Sequence, residues 1–187
     1  MADHICPPWV GRLLLTPLRR LVENPRKILG PFVRERMVVL EPGCAMGYFT
    51  LPMARMVGPE GRVIAVDIQP KMLASLEKRA REAGLGDRID IRQAGLDSLG
   101  IDDVAGTADF CSVIHMVHEV PDQDRLFREI SAALKPGGQA FFMEPGWHVT
   151  EDEFGISLSV AASAGLRKIE SIDVQGDRKA LFEKVGE

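Results

Sequence analysis

The sequence predicts an α/β fold with a seven-stranded, mostly parallel sheet, one antiparallel strand and helices on both faces, preceded by a short N-terminal helical cap. From Met37 onward, short apolar runs alternate with segments of helical length, which is typical of parallel sheets with right-handed crossovers. Residues 1–36 hold five of the twelve prolines, so helices there must be short. We therefore divide the chain into a cap, residues 1–36, and a main domain, residues 37–187.

The first predicted strand, residues 37–40, is a short apolar run with β-branched residues, as a buried parallel strand should be. The other predicted strands cover residues 62–67, 89–93, 108–114, 139–144, 166–173 and 180–185. The predicted helices cover residues 47–57, 71–83, 122–134 and 151–164. The link centred on Gly176 is short, so the last two strands are predicted to form an antiparallel hairpin.

The composition is that of one globular domain, with 45% hydrophobic and 27% charged residues. A net charge of −4 argues against nucleic-acid binding. Three cysteines without disulfide or zinc spacing indicate a cytoplasmic protein with no metal site. Residues 9–22 are too short and too charged to span a bilayer, so no integral membrane contact is expected. The basic residues of the cap are either a solvated face or a docking face for an anionic substrate, lipid surface or partner.

The strongest local signal is the glycine-containing loop after the first strand. Gly43 and Gly47 permit tight backbone geometry and close approach by a ligand. They are four positions apart, whereas the outer glycines of the dinucleotide fingerprint are about five apart, and no Gly-Lys-Ser/Thr follows. Glu41, at the strand end, can accept hydrogen bonds from a cationic amine and would repel a pyrophosphate. The loop therefore favours a nucleoside that carries an amino acid.

Asp67 ends the second predicted strand, so its carboxylate should emerge at the same edge of the sheet as Glu41. A carboxylate at this place can accept both hydroxyls of a ribose. The structural alternative is a helix cap. Together with Glu41 and the loop, Asp67 favours the ribose interpretation.

Four segments, in this order, resemble the motifs of the class I S-adenosylmethionine-dependent methyltransferases, which have a Rossmann-like fold. The segments are Glu41-Pro-Gly-Cys-Ala-Met-Gly47, Val66-Asp-Ile-Gln-Pro-Lys-Met72, His118-Glu-Val-Pro-Asp122 and Leu134-Lys-Pro-Gly-Gly138. The likeness extends from Met37 to the C-terminus and is greatest to the small-molecule branch that includes ubiquinone/menaquinone-biosynthesis methyltransferases.

This resemblance implies a role for individual residues. The methionine portion of S-adenosylmethionine would be held by Glu41, Gly43, Cys44, Ala45 and Gly47. The remaining contacts would come from Asp67 to the ribose, Ile68 to the adenine face, Gly95 and Leu96 to the adenine edge, and Ile114 and His115 beneath the sulfonium. The sequence departs from the family pattern twice: Ala45 replaces the middle glycine, and Leu96 replaces a common acid, with Asp97 one residue further on.

A sulfonium methyl donor is already activated, so transfer needs mainly alignment, and a general base helps when the acceptor must lose a proton. The predicted catalytic residues are His118 and Glu119, after the fourth strand, where His115 also lies. If a helix begins near His115, then His115 and Glu119 share a face and His118 points away. The structural alternative is a hydrogen bond that orients this loop against the next helix. After the fifth strand, His148 is a further candidate base and Trp147 is suited to stack on a flat substrate.

The sequence thus predicts a cytoplasmic methyltransferase that uses S-adenosylmethionine on a small-molecule acceptor, and a homodimer is considered. The alternative is a protein that binds S-adenosylmethionine or S-adenosylhomocysteine without transfer activity, as a sensor or subunit. A third hypothesis, methylation of RNA or protein, is supported only by the basic residues of the cap. The cap, with Trp9 and Phe32, is the expected second wall of the acceptor site. Deleting residues 1–30 is therefore expected to spare cofactor binding and abolish transfer.

Overall fold

The computed structural model describes residues 23–171 and 176–186. Most of the predicted cap, including Trp9, lies outside the described residues, as does part of the predicted strand at 166–173. The described residues form two compact units, with the division between Leu96 and Asp97. This division falls inside the predicted main domain, and the cap boundary at residue 36 stays a prediction.

The first unit is built on three parallel strands, each followed by a segment that returns the chain to the start of the next. Its strands are β1 (Val38–Pro42), β2 (Arg62–Asp67) and β3 (Ile89–Gln93). Its helices are α1 (Pro25–Leu29), α2 (Thr50–Met56) and α3 (Pro70–Glu82). The register pairs Glu41 with Ala65 and Asp67 with Gln93, so β1 and β2 both end at the same edge. The predicted apolar stripe of α3 is buried: Met72, Leu73, Leu76 and Ala80.

The second unit contains two parallel strands and an antiparallel hairpin. Its strands are β4 (Ala108–Ile114), β5 (Leu134–Pro145), β6 (Leu166–Ser171) and β7 (Asp177–Lys184). Its helices are α4 (Gln123–Ala133) and α5 (Glu151–Ser163). β4 is parallel to β5, and β7 is antiparallel to both β5 and β6. The apolar core of this unit includes Phe127, Phe141, Phe142 and Phe182.

The strand order is β3-β2-β1-β4-β5-β7-β6. β7 is the antiparallel strand, so the seven-stranded, mostly parallel Rossmann-like sheet predicted from the sequence is confirmed. Within the ranges that the structure describes, no helix is both long and apolar enough to cross a membrane.

Three element boundaries differ from the prediction by three residues or more. The helix expected from residue 47 begins only at Thr50, because Gly47 has φ +81°, a left-handed conformation that an α-helix cannot contain. β5 begins at Leu134 rather than at residue 139, and residues 135–138 form an irregularity in its pairing with β4. β7 begins at Asp177, three residues earlier than expected, because it pairs with the whole carboxyl end of β5.

Candidate active site

The loop that joins β1 to α2 combines three positive φ angles with hydrogen bonds to its neighbours. The φ angle is +70° at Gly43, +46° at Ala45 and +81° at Gly47. The Cys44 amide donates to the carbonyl of Val66 on β2 at 3.1 Å, and the Gly47 amide donates to the Cys44 carbonyl at 2.9 Å. The loop therefore forms a compact turn held against the end of β2.

A side chain at Gly47 would collide with α3. A Cβ atom built there lies 2.4 Å from Cδ1 of Leu76, in addition to the strain of its φ angle. Arg79, also on α3, donates a side-chain hydrogen bond to the carbonyl of Met46. The carboxyl side of the loop is therefore packed on α3 and hydrogen-bonded to it.

Asp67, at the end of β2, contacts the loop directly. Its Oδ2 atom accepts from the Ala45 amide at 2.9 Å, and its Oδ1 atom accepts from the Gln69 amide at 2.8 Å. Burial raises the pKa of Asp67, and the backbone hydrogen bonds oppose that rise. A carboxylate has about four lone-pair positions, so Asp67 can still accept from a donor beyond these backbone amides.

Glu41 is an acidic residue buried at the carboxyl end of β1. Glu41 is only 5% exposed, and no group among the described residues hydrogen-bonds to its Oε2 atom. Burial raises the pKa of Glu41 to about 8; the side chain of Thr50 opposes that rise, and repulsion from Asp67 adds to it. A buried acceptor without a donor costs free energy, and a cationic ligand that donates hydrogen bonds would remove this cost.

The positions expected to border an adenine lie on two neighbouring loops of the first unit. Ile68 is half-buried directly after β2, and Gly95 and Leu96 follow β3, with Leu96 81% exposed. The Ala94 amide donates to the Asp67 carbonyl at 3.0 Å, which fixes the start of the second loop next to the end of β2. An apolar side chain as exposed as Leu96 is available to pack on a flat ligand.

In the second unit, His118 forms a close pair with Glu144. The Nδ1 atom of His118 lies 2.5 Å from Oε2 of Glu144, at the carboxyl end of β5. The other oxygen of Glu144 accepts from the Val117 amide at 2.8 Å. This hydrogen bond to Glu144 raises the pKa of His118. An acid that is 1% exposed thus binds both the ring of His118 and the backbone beside it.

Further polar and aromatic groups surround His118. Its ring meets that of His148 edge to face, with centroids 4.9 Å apart, and its Nε2 atom lies 3.9 Å from a Glu119 oxygen. Trp147, 85% exposed, lies 5.4 Å from His148 between ring centroids. The two histidines and the acid predicted from the sequence are therefore brought together in this unit.

The structure decides two conditional interpretations of this loop. No α-helix begins near His115, whose φ is +54°; instead a single 3-10 turn, Val117–Glu119, precedes α4. The orienting hydrogen bond of His118 goes to Glu144 on β5 rather than to the next helix. Ile114 is buried at the end of β4, and the His115 amide donates to the Met143 carbonyl on β5 at 2.8 Å.

Glu144 was missed by sequence reasoning. The only signal was an acid inside an otherwise apolar strand, Phe141-Phe-Met-Glu144, where every neighbour is buried. A buried acid needs partners, but the spacing of 26 residues to His118 does not identify them.

The groups of the first unit suit S-adenosylmethionine better than a dinucleotide. The partnerless oxygen of Glu41 matches a donor that carries positive charge, and the remaining acceptor capacity of Asp67 matches a hydroxyl donor. A pyrophosphate placed against the loop would be repelled by the carboxylates of Glu41 and Asp67.

The fold and this loop place the chain among the Rossmann-like α/β proteins. A family model described as a methyltransferase domain matches residues 39–138, more than half of the chain. The chain belongs to this methyltransferase-domain family, and the resemblance stated from its motifs is confirmed.

Curated relatives of the chain agree with this assignment. The chain is 32% identical over 112 residues to the ubiquinone/menaquinone biosynthesis C-methyltransferase UbiE of Hahella chejuensis, which covers 60% of this chain and 44% of the relative. It is 32% identical over 101 residues to the demethylmenaquinone methyltransferase of Lactobacillus johnsonii, which covers 54% of this chain and 41% of the relative. The chain thus spans less than half the length of these curated relatives.

Among solved structures, a SAM-dependent methyltransferase from Aquifex aeolicus has a TM-score of 0.86 at 21% identity, with 97% of this chain and 100% of that chain covered. A geranyl diphosphate C-methyltransferase from Streptomyces coelicolor, solved with S-adenosyl-L-homocysteine, has a TM-score of 0.72 at 17% identity, with coverages of 94% and 82%. At these identities the likeness supports the fold.

Proposed function

We propose that this chain is an S-adenosylmethionine-dependent methyltransferase that acts on a small-molecule acceptor, in the cytoplasm. The observation that carries the proposal is the partnerless, buried Oε2 atom of Glu41 beside the positive-φ loop and Asp67. Membership of the methyltransferase-domain family supports it. When bound, the cofactor supplies an electrophilic methyl group on its sulfonium.

In this proposal the first unit binds the cofactor. Glu41 accepts hydrogen bonds from the cationic amine, while the loop from Gly43 through Cys44 and Ala45 to Gly47 surrounds the methionine portion. Asp67 holds the loop and binds the ribose. Its carboxylate accepts a hydrogen bond from the Ala45 amide and can accept from the ribose hydroxyls as well. Ile68, Gly95 and Leu96 line the adenine, and the roles of Ile114 and His115 stay predictions from the sequence.

The acceptor belongs, in this proposal, to the small organic molecules. The relatives are named for ubiquinone, menaquinone and demethylmenaquinone, and these names make a flat ring the first acceptor class to test. Trp147, largely exposed next to His148 and His118, offers an aromatic face to such a ring. Glu119 and His118 are the proposed catalytic residues, and a homodimer stays a prediction.

Calorimetry with S-adenosylmethionine, S-adenosylhomocysteine and NAD tests the cofactor. We expect micromolar binding of the first two and no binding of NAD. Glu41→Gln and Asp67→Asn should each weaken binding by about tenfold or more, since each removes a charge-assisted hydrogen bond worth about 1.5–3 kcal/mol. Glu82→Gln, on the exposed face of α3, is the matched control. Equal affinity for NAD would contradict the proposal.

A metabolite screen with labelled S-adenosylmethionine tests the transfer. We expect label to move from the cofactor to one class of small molecule, with S-adenosylhomocysteine as the second product. Tight cofactor binding without transfer to any small molecule, RNA or protein would instead indicate a sensor or subunit.

A further inference from the structure

We propose that Glu144 is a positioning residue that fixes His118 as the proton acceptor of the transfer reaction. The consequence is a restricted acceptor class: molecules with an ionisable O–H or an acidic C–H, rather than thioethers or tertiary amines. This inference rests on the proposed function and adds to it a residue and a substrate requirement that neither the motifs nor the family assignment supplies.

The first step is the tautomer of His118. Both oxygens of Glu144 are engaged, Oε1 by the Val117 amide and Oε2 by Nδ1 of His118. A carboxylate only accepts hydrogen bonds, so the proton of the neutral ring is held on Nδ1. The Nε2 atom then carries the lone pair, which is the state that a general base requires.

The second step is the rigidity of this arrangement. Glu144 extends from β5, which pairs with β4 on one side and β7 on the other, so its backbone is fixed. The bond to the Val117 amide holds the 3-10 turn that carries His118, and the bond to Nδ1 holds the ring itself. One buried side chain therefore sets both the place of the base and its orientation.

The third step concerns the charges around Nε2. Glu119 lies 3.9 Å away on the same turn, His148 follows β5, and Glu153 on α5 contributes negative charge. The carboxylates favour the imidazolium that forms when Nε2 takes a proton. The ring of His118 is 20% exposed, so the proton can then pass to solvent.

The reaction balances with this base. The X–H bond of the acceptor breaks and its proton goes to Nε2 of His118. The electron pair left on the acceptor forms the new bond to the methyl carbon, while the S–CH₃ bond breaks with its electrons remaining on sulfur, which leaves S-adenosylhomocysteine. When a phenolate is methylated on a ring carbon, the proton of that carbon is then lost and the oxygen takes up a proton, which restores the aromatic ring. An acceptor that has no proton to lose gains nothing from Glu144 or His118.

Glu144→Gln tests the inference because it preserves both hydrogen bonds and reverses the tautomer. The amide oxygen still accepts from the Val117 amide, but the amide nitrogen donates to Nδ1 and moves the ring proton to Nε2. We expect kcat to fall by about 100-fold or more, with KM and the affinity for S-adenosylhomocysteine within threefold of wild type. The first acceptor is demethylmenaquinone reduced to its hydroquinone, followed by any acceptor found in the screen. Glu170→Gln, the same change on an exposed residue of β6, is the control and should leave kcat unchanged.

Two further readouts separate this role from a structural one. Nitrogen NMR of His118 in the neutral ring should show the proton on Nδ1 in wild type and on Nε2 in Glu144→Gln. The kcat of wild type should rise with pH to a plateau, because the neutral ring is the base, and Glu144→Gln should lose this limb. If Glu144→Gln does not fold, His118→Ala replaces it: turnover should fall about 100-fold and recover in part with added imidazole.

Several outcomes would overturn the inference. They are a wild-type kcat in Glu144→Gln or in His118→Ala, a loss confined to KM, and a wild-type proton on Nε2. In each of these cases the proposed function survives if wild type transfers methyl groups. A wild-type chain that is inert on every acceptor contradicts the proposed function and this inference together.

Discussion

At the scale of single residues, Ala45 has an unusual backbone conformation within the cofactor loop, Gly43 to Gly47. It shares positive φ with Gly43 and Gly47 but carries a side chain, which makes that conformation costly. The sequence identified Ala45 as a departure from the family glycine, and the φ angle supplies the physical reason for that glycine.

Replacing Ala45 with glycine should therefore stabilise the folded chain. Ala45→Gly removes the Cβ that opposes φ +46°, while the amide that donates to Asp67 remains. We expect the free energy of unfolding in urea to rise by about 1 kcal/mol. Ala132→Gly, at an exposed position within α4, should instead lower it by about 1 kcal/mol. A lower stability of Ala45→Gly would show that its φ angle carries no strain.

Glu41 should couple cofactor binding to the release of a proton. At pH 6.5 the carboxyl is protonated in the free protein, because its pKa is raised to about 8, and an amine bound against it favours the ionised form. We expect close to one proton released per site, measured by calorimetry in buffers of different ionisation enthalpy. Glu41→Gln should bind more weakly and release none, whereas release equal to wild type would exclude Glu41 as the source.

The acidic residues of the first unit were predictable from the sequence, whereas the acidic residue beside His118 in the second unit was not. Glu41 and Asp67 were found from sequence because each ends a strand whose edge is implied by the parallel sheet. Glu144 was not found, because its function depends on a partner brought to it by the pairing of β4 with β5. Neither periodicity nor composition encodes that pairing.

At the scale of elements, strands were predicted more accurately than the starts of helices. The bounds of β2, β3 and β4 agree with the prediction. For β2 and β4 the reason is that a buried apolar run marks each strand. The helix after the cofactor loop was placed three residues early, because a left-handed glycine is invisible in an apolar pattern.

The start of α5 is fixed by a capping box. Thr150 accepts from the Glu153 amide at 3.2 Å, and the Glu153 carboxylate accepts from the Thr150 amide at 2.8 Å. We expect Thr150→Ala to reduce the free energy of unfolding by about 1 kcal/mol in urea. Ser159→Ala, exposed on the same helix, should change it by less than about 0.5 kcal/mol. An equal loss in both variants would mean that the cap adds nothing.

At the scale of the whole molecule, the stability of the cofactor-free chain should depend on pH through Glu41. Its folded pKa of about 8 exceeds the ordinary value of 4.5, so the folded state binds the proton more tightly. The stability from this group is present below pH 4.5 and is lost as the pH rises through 8.

Urea unfolding of wild type and Glu41→Gln at several pH values between 5 and 8 measures this dependence. The stability of wild type should fall relative to the variant, by up to about 1.4 kcal/mol per pH unit. Saturating S-adenosylmethionine should flatten the fall, because its amine compensates the charge. Parallel curves for the two proteins without cofactor would contradict the raised pKa.

The fold as a whole was predictable because the alternation of apolar runs and helical segments leaves few topologies open. The antiparallel β7 followed from one short link near Gly176. What the sequence did not provide was the detail that depends on contacts between distant segments, such as the Arg79 side chain on the Met46 carbonyl.

The hydrogen bond from Arg79 to the Met46 carbonyl connects the cofactor loop to α3. A ligand that immobilises the backbone at Met46 also immobilises the hydrogen bond from Arg79, which anchors the carboxyl half of α3. Occupancy of the loop should therefore slow amide exchange along the last turns of α3. Lysine in place of Arg79, with its single ammonium, would loosen that connection.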